Sequence, residues 1–162
     1  MAKVIERILV YVDGTEGSIT ACQYAVLLAK GTGARLTAMY VINTRALQEL
    51  VKTRIFLPAE QDEYQLDLQA DAERYLAHVR ELAQRKGVPV EIIKRSGAVH
   101  QEIRTEVQNS KIDTLVLGEL AGVRSRRDEF YDEADRAMRM VPCTVIVVKD
   151  EDRVWDLFQA ED

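Results

Sequence analysis

Length, composition and charge already exclude several classes of protein. The chain has 162 residues, enough for one domain with a substantial core, and 47% hydrophobic with 30% charged residues is typical of a globular protein. A formal net charge of −5 argues against nucleic acid binding, which depends on clustered lysines and arginines. No apolar run reaches the ~18 residues needed to cross a membrane, and the first residues do not form a signal peptide. We therefore expect a cytoplasmic protein that binds neither nucleic acid nor membranes.

In the first half of the chain, short apolar runs alternate with helical patterns. Residues 8–12 and 36–42 are near-continuous apolar runs rich in β-branched residues, which is typical of parallel strands covered on both faces. A helical stripe lies between them, and a second one runs from Leu68 to Ala83 with a period of 3.6. The connection at 43–60 also contains apolar residues at helical spacing, which predict a short amphipathic helix before Pro58: Ala46, Leu47, Leu50 and Val51.

The second half continues the alternation to the end of the last strand. Residues 88–93 alternate in polarity and include Pro89, as an edge strand tolerates. Two further apolar runs, 114–117 and 144–148, predict strands, and helical stripes precede each of them. The order is βαβαβαβαβ, which predicts an α/β fold: a doubly wound five-stranded parallel sheet with right-handed crossovers and helices on both faces.

The last thirteen residues differ in composition from the domain at 1–149. Residues 150–162 form an acidic tail that carries Val154, Trp155, Leu157 and Phe158. The spacing of residues 154, 155 and 158 predicts a short helix with one apolar face. Because the tail follows the last strand, we expect this face to dock on the partner subunit of a dimer; a frayed chain end is the alternative.

The carboxyl ends of the strands predict where a ligand would bind. In open α/β sheets the ligand lies beyond those ends, at the point where the strand order reverses. Asp13, Gly14 and Thr15 follow the first strand, and Val41 lies near the end of the second. Asp13 has two interpretations of equal weight: it accepts hydrogen bonds from a ligand, or it and Thr15 cap the following helix.

The region from Gly118 onward has the strand, glycine and helix of a phosphate-binding site in the right order, but the residues at the start of the helix differ from those of such a site. A glycine at the end of a strand, followed by a helix, allows backbone N–H groups to approach a phosphate. Here the helix begins near Tyr131 and Asp132, a bulky ring and a carboxylate that oppose phosphate binding. Arg124 belongs to a local basic patch that is either a solvated loop or a phosphate clamp, and acidic residues follow it directly.

The sequence gives little support for other kinds of catalytic, metal-binding or phosphate-binding site. The chain contains neither a phosphate-binding loop of the P-loop type, nor a dinucleotide-binding glycine motif, nor a nucleophile elbow. His100 has no second histidine or cysteine at metal-ligand spacing, and Cys22 and Cys143 are predicted to be reduced structural residues. A phosphorylated receiver domain is excluded, because its acidic pair and phosphoacceptor aspartate are missing although Lys149 ends the last strand.

Residues 4–149 resemble the universal stress protein family. The resemblance depends on four segments in the right order and spacing: Ile8-Leu-Val-Tyr-Val-Asp-Gly-Thr-Glu-Gly-Ser18, Gly97 with Ile103, Asp113-Thr-Leu-Val-Leu-Gly118, and Val141-Pro-Cys-Thr-Val-Ile-Val-Val148. It implies the strand order 3-2-1-4-5 and a homodimer that forms by pairing of the last strands. Many members of the family bind ATP, and Asp13 and Val41 resemble their base- and ribose-contacting positions.

The family's ATP motif is degraded in this sequence. Members that bind ATP carry Gly-x-x-Gly, nine residues and Gly-Ser or Gly-Thr after the fourth strand. Aligned on Gly118, the second glycine is Ala121, and the final pair is Tyr131-Asp132. We therefore expect a non-enzymatic, homodimeric stress-response or regulatory protein with no cofactor, which acts on an unknown protein partner. The alternative is a nucleotide-binding member that retains an adenosine site and weak ATP hydrolysis.

Overall fold

A sheet of five parallel strands forms the centre of the molecule. The computed structural model describes residues 2–44, 48, 52, 58–119 and 129–160, without the side chains of residues 58, 61 and 129–133. The sheet order is β3-β2-β1-β4-β5, and all four neighbouring pairs are parallel. The strands are β1 (Arg7–Val12), β2 (Arg35–Asn43), β3 (Val90–Gly97), β4 (Thr114–Gly118) and β5 (Thr144–Val148). The predicted fold and strand order are confirmed.

Helices cover both faces of the sheet. They are α1 (Glu16–Thr32), α2 (Pro58–Arg85), α3 (Val99–Asn109), α4 (Glu129–Met140) and α5 (Glu151–Gln159). Helices α1, α2 and α5 pack with Ile8 and Val10 on one face, and α3 and α4 pack with Leu9 and Leu115 on the other. Successive residues of each strand therefore supply opposite cores, which is why these strands are apolar without interruption.

Helix α2 is longer than its apolar stripe. It begins at Pro58, a residue whose fixed φ suits the first helical position, although the stripe starts only at Leu68. Leu66, which precedes this stripe, is exposed, so it does not extend the apolar face of the helix toward Pro58. The helix predicted before Pro58 cannot be compared, because its apolar residues lie outside the described part of the chain. Among the described residues, no helix has both the length and the apolar character to span a membrane.

Helix α5 corrects the prediction for the tail. The predicted helix is present, but Val154 and Phe158 are buried against α1 of the same chain instead of a partner subunit. Trp155, which was predicted to share their apolar face, is 52% exposed. The reason is geometric: residues 154 and 158 are four apart and stack on one side of a helix, and that side packs on the apolar surface of α1.

Candidate functional site

The turn between β1 and α1 is held by a set of short hydrogen bonds. Thr15 is the N-cap of α1, and its Oγ1 accepts a hydrogen bond from the backbone N–H of Ser18 at 3.1 Å. The Oδ1 of Asp13 accepts from the Thr15 N–H at 3.0 Å and from the Thr15 hydroxyl at 2.7 Å. The Ser18 hydroxyl oxygen in turn accepts from the Asp13 N–H at 2.9 Å. Thr15 therefore caps the helix, and Asp13 positions Thr15 while its side chain remains exposed.

Gly14 lies directly beneath an aromatic ring from α2. Its φ is +82°, a conformation that side chains rarely adopt. An ideal Cβ on Gly14 would lie only 2.4 Å from Cε2 of Tyr75. The ring therefore occupies the space above the turn that a side chain, or a small ligand group, would otherwise fill.

Tyr75 belongs to an aromatic cluster at the same edge of the sheet. Its ring stacks on that of Tyr40, with the centroids 6.1 Å apart and the planes at 18°. The Arg74 guanidinium lies 5.1 Å from the Tyr75 centroid and also forms an ion pair with Asp71 at 2.9 Å. Burial, followed by the charge of Asp71, raises the pKa of Tyr40 to about 12. Tyr40 is therefore a neutral phenol over the physiological pH range.

Gly118 lies against the backbone of α1. A Cβ on Gly118 would approach the carbonyl carbon and oxygen of Gly17 to 2.4 Å and the Ser18 nitrogen to 2.7 Å. The first turn of α1 therefore packs on the end of β4 with no side chain between them. This close packing requires glycine at position 118 whether or not a ligand binds there.

Val41 lies at the same height as Asp13. Val12, the last residue of β1, pairs with Tyr40 of β2. Val41 is the next residue of β2, so it lies level with Asp13, the residue that follows β1. The Val41 side chain is buried in the core on the α3 side. Only the backbone of Val41 can therefore contact a ligand in the crevice.

The remaining predicted positions are only partly described. Arg124 and Ala121 lie outside the described residues. Tyr131 and Asp132 lie in the first turn of α4, which begins at Glu129, two residues earlier than the sequence predicted. The structure thus brings Asp13, Gly14, Thr15, Gly118 and the end of β2 to one edge of the sheet.

Sequence reasoning did not find several residues that shape this edge. Tyr75 was placed in the apolar stripe of α2, but nothing in the chain predicts that a ring 61 positions later covers Gly14. Gly17 and Ser18 were part of a matched segment without an assigned role. A glycine in the first turn of a helix was the available signal for close packing, because glycine is unfavourable in helices.

Neither the two cysteines nor a metal-binding cluster among the described residues adds chemistry to this site. Burial raises the pKa of the Cys22 thiol, with Asp13 as a second contributor, and burial also raises the pKa of Cys143. Both thiols therefore remain protonated, the less nucleophilic form, at neutral pH. In the described part of the chain, no group of three His, Cys, Asp or Glu residues could hold a metal ion.

Known proteins resemble this chain along most of its length. The universal stress protein family matches residues 5–149. A universal stress protein of Methanocaldococcus jannaschii is 26% identical over 146 residues, which cover 89% of this chain and 82% of that protein. A universal stress protein of Bacillus subtilis is 24% identical over 149 residues, which cover 90% of this chain and 100% of that protein.

Solved structures share the fold. UspA of Lactobacillus plantarum superposes with a TM-score of 0.70 at 24% identity, over 88% of this chain and 97% of that one. A universal stress protein of Archaeoglobus fulgidus in complex with dAMP gives 0.63 at 13% identity, over 91% and 100%. A further solved universal stress protein, in complex with cAMP, gives 0.62 at 17% identity, over 91% of this chain and 98% of that one. With the family match over residues 5–149, this chain belongs to the universal stress protein family.

Proposed function

We propose that this protein is a non-enzymatic, cytoplasmic stress-response or regulatory protein that does not bind ATP in the usual way of its family. The observation that carries the proposal is the position of Tyr131 and Asp132 in the first turn of α4. At these two positions the family's ATP motif has glycine and a hydroxyl residue. Asp13, Gly14, Thr15 and Gly118 then serve mainly to build this edge of the fold.

Charge is the first reason why a triphosphate is disfavoured there. The N-terminus of a helix carries a partial positive charge and unpaired N–H groups that can hold phosphate. In α4 the first five residues include three carboxylates, namely Glu129, Asp132 and Glu133. Acidic residues in the first turn suit the positive end of a helix, and a sequence with three of them there disfavours a triphosphate that carries several negative charges.

Packing is the second reason. The approach of Gly17 to Gly118 accounts for the one glycine of the ATP motif that this chain keeps. A retained glycine is therefore no sign of a retained phosphate site. The Tyr75 ring over Gly14 also narrows the crevice at its other wall.

Calorimetry with ATP and magnesium tests the proposal. The unaltered protein is expected to give no saturable heat at micromolar ATP. The variant Ala121→Gly/Tyr131→Gly/Asp132→Ser restores the motif and should gain affinity if charge and steric filling are the cause. Since glycine at position 131 of the helix costs about 1 kcal/mol, circular dichroism must first confirm that the variant is folded.

A matched control separates the motif from its surroundings. Asp135→Ser removes a carboxylate from the same helix, one turn beyond the motif, where Asp135 forms an ion pair with Arg139. It should not create ATP binding. Micromolar ATP binding by the unaltered protein would overturn the proposal, and equal gains in Asp135→Ser and the restored variant would refute its structural cause.

An adenosine mononucleotide site is the second candidate, and one observation favours it. The Asp13 side chain is exposed at the crevice, level with the Val41 backbone, so both family positions for the base and ribose are present. Relatives with the same fold are described in complex with cAMP and with dAMP. AMP binding that Asp13→Asn weakens and Tyr75→Ala strengthens would establish this function. A lack of AMP binding in both the unaltered protein and Tyr75→Ala would remove it.

A further inference from the structure

A large cavity opens at the edge of the sheet opposite to the Asp13 crevice. Its volume is about 830 Å³, and its walls come from the amino-terminal ends of β1, β2 and β3 and the carboxyl-terminal ends of α1, α2 and α3. The family's nucleotide crevice lies beyond the other ends of these strands. The cavity is therefore a separate site on the molecule.

The cavity is basic although the protein is acidic. Its walls carry four basic side chains and one acidic one, whereas the whole chain has a net charge of −5. The basic residues are Arg7, Lys30, Arg35 and Lys86, and the acidic one is Glu91. A concave surface that concentrates one sign of charge attracts ligands of the opposite sign.

The two lysines have structural roles that do not need a ligand. Lys30 lies in the last turn of α1, where a positive charge stabilises the helix dipole. Lys86 donates to the Ala160 carbonyl oxygen at 3.2 Å, and its Nζ lies 5.0 Å from the centre of the Phe158 ring. These contacts account for their positions at the ends of helices.

The two arginines are different, because they lie on strands. Arg7 and Arg35 are register partners in the parallel pair β1–β2, so their side chains leave the same face of the sheet. Paired strands are about 4.8 Å apart, and like charges directly opposite each other are destabilising. An anion that bridges the two guanidinium groups would relieve this repulsion.

Neither guanidinium group forms an ion pair within the part of the chain that the structure describes, and the carboxylate of Asp113, beside Arg7, accepts a hydrogen bond from the Arg7 backbone N–H at 2.9 Å. The Arg7 Nη1 donates to the Ser110 carbonyl oxygen at 3.2 Å. Arg35 is exposed to solvent, and Glu91 is the one acidic side chain in the cavity wall. The Arg35 guanidinium can therefore donate to a ligand, and Arg7 can do so with the N–H groups that do not contact Ser110.

We propose that this cavity binds a small molecule that carries a phosphate group, held between Arg7 and Arg35. Guanidinium groups form paired hydrogen bonds with phosphate oxygens, and two of them match its double negative charge. The rest of the wall is partly apolar, with Ala34, Pro89 and Val90 among its residues, so it suits a ligand with an apolar body. This proposal does not depend on whether ATP or AMP binds at the Asp13 crevice.

Titration of the full-length protein with phenyl phosphate at constant ionic strength tests the site, with inorganic phosphate as the second probe. Phenyl phosphate should bind saturably and more tightly than inorganic phosphate, because it adds an apolar body. Arg35→Gln should weaken binding about tenfold or more, as expected for a lost charge-assisted hydrogen bond. Arg35 is the better test, since Arg7→Gln also removes the contact with Ser110 and could affect folding.

A matched variant and a spatial readout complete the experiment. Arg104→Gln removes an exposed arginine of α3 that lies outside the cavity wall, and it should change the affinity less than twofold. In NMR spectra, the amide signals of Gly33 and Gly87 at the cavity should shift, and those of Gly14 and Gly118 should not. The proposal fails if phenyl phosphate does not saturate at millimolar concentration, if Arg35→Gln and Arg104→Gln weaken it equally, or if only the Gly14 and Gly118 signals shift.

Discussion

At the scale of single residues, Gly14 is required for two separable reasons. The first is its backbone, since a φ of +82° strains any residue with a Cβ. The second is the Tyr75 ring, which would lie 2.4 Å from that Cβ. Gly87 has only the first requirement: its φ is +68°, and an added Cβ would meet nothing within 4 Å. The two glycines therefore allow strain and steric overlap to be measured apart.

Gly14→Ala is expected to destabilise the protein more than Gly87→Ala does. Backbone strain should cost each variant about 1–2 kcal/mol, and overlap with Tyr75 should cost Gly14→Ala a further 1–3 kcal/mol or so. Urea unfolding of both variants measures the difference. In a Tyr75→Ala background, the effect of Gly14→Ala should fall to that of Gly87→Ala. Equal effects in the unaltered background would show that the ring does not press on the turn.

Tyr40 makes stability depend on alkaline pH. Its pKa is raised to about 12 in the folded protein, first by burial and then by Asp71, whereas a tyrosine in the unfolded chain has a pKa of about 10. A raised pKa contributes stability that is fully present below pH ~10 and is lost as the pH rises toward ~12. The unfolded chain releases this proton first, so alkaline pH favours unfolding.

Tyr40→Phe is expected to weaken this pH dependence. Between pH 10 and pH 11, the free energy of unfolding should fall by about 1 kcal/mol less in the variant than in the unaltered protein. Denaturant unfolding at the two pH values measures the change in each protein. Identical losses of stability would mean that Tyr40 ionises as readily in the folded state as in the unfolded one.

At the scale of elements, α5 acts as part of the core of its own subunit. Val154 is fully buried and Phe158 is 3% exposed, whereas Trp155 between them in the sequence is 52% exposed. Lys86 also lies over the Phe158 ring and donates to the carbonyl of Ala160, which ties the end of α5 to the end of α2. The helix thus has one side that stabilises the fold and one that faces outward.

Two aromatic substitutions in α5 should differ strongly in their effect. Phe158→Ala removes a buried ring and is expected to lower the free energy of unfolding by about 3–5 kcal/mol. Trp155→Ala removes a ring of larger area that is half exposed, and should cost less than about 1 kcal/mol. Chemical denaturation of both variants provides the comparison. A larger cost for Trp155→Ala would place the outward side of α5 in an interface.

The sequence pattern predicted the strands and helices better than it predicted the contacts between them. Strands covered on both faces have continuous apolar runs, and the alternating polarity of residues 88–93 predicted an edge strand, which β3 is. The docking of α5 on α1 and of Tyr75 on Gly14 joins segments far apart in sequence. Periodicity shows which side of a helix is apolar, but not which surface that side covers, so the position of α5 was predicted wrongly.

At the scale of the whole molecule, β5 is the second edge of the sheet and borders on solvent. Among the strands of the described residues it has one neighbour, β4, and its central residues Val145, Ile146 and Val147 are only half buried. An apolar strand with an unpaired edge invites association with another chain. Pairing of two β5 strands about a two-fold axis satisfies both edges with the same surface, which is the commonest symmetry of protein dimers.

We therefore expect a homodimer through β5 and a specific way to break it. Val147→Lys places a charge on the edge strand of each subunit, and the two-fold axis brings the like charges together, so light scattering should shift from dimer to monomer mass. Val4→Lys is the matched control, because Val4 is 93% exposed and precedes β1, which β4 separates from β5. It should leave the dimer intact. A monomer mass for the unaltered protein at high micromolar concentration would refute the homodimer.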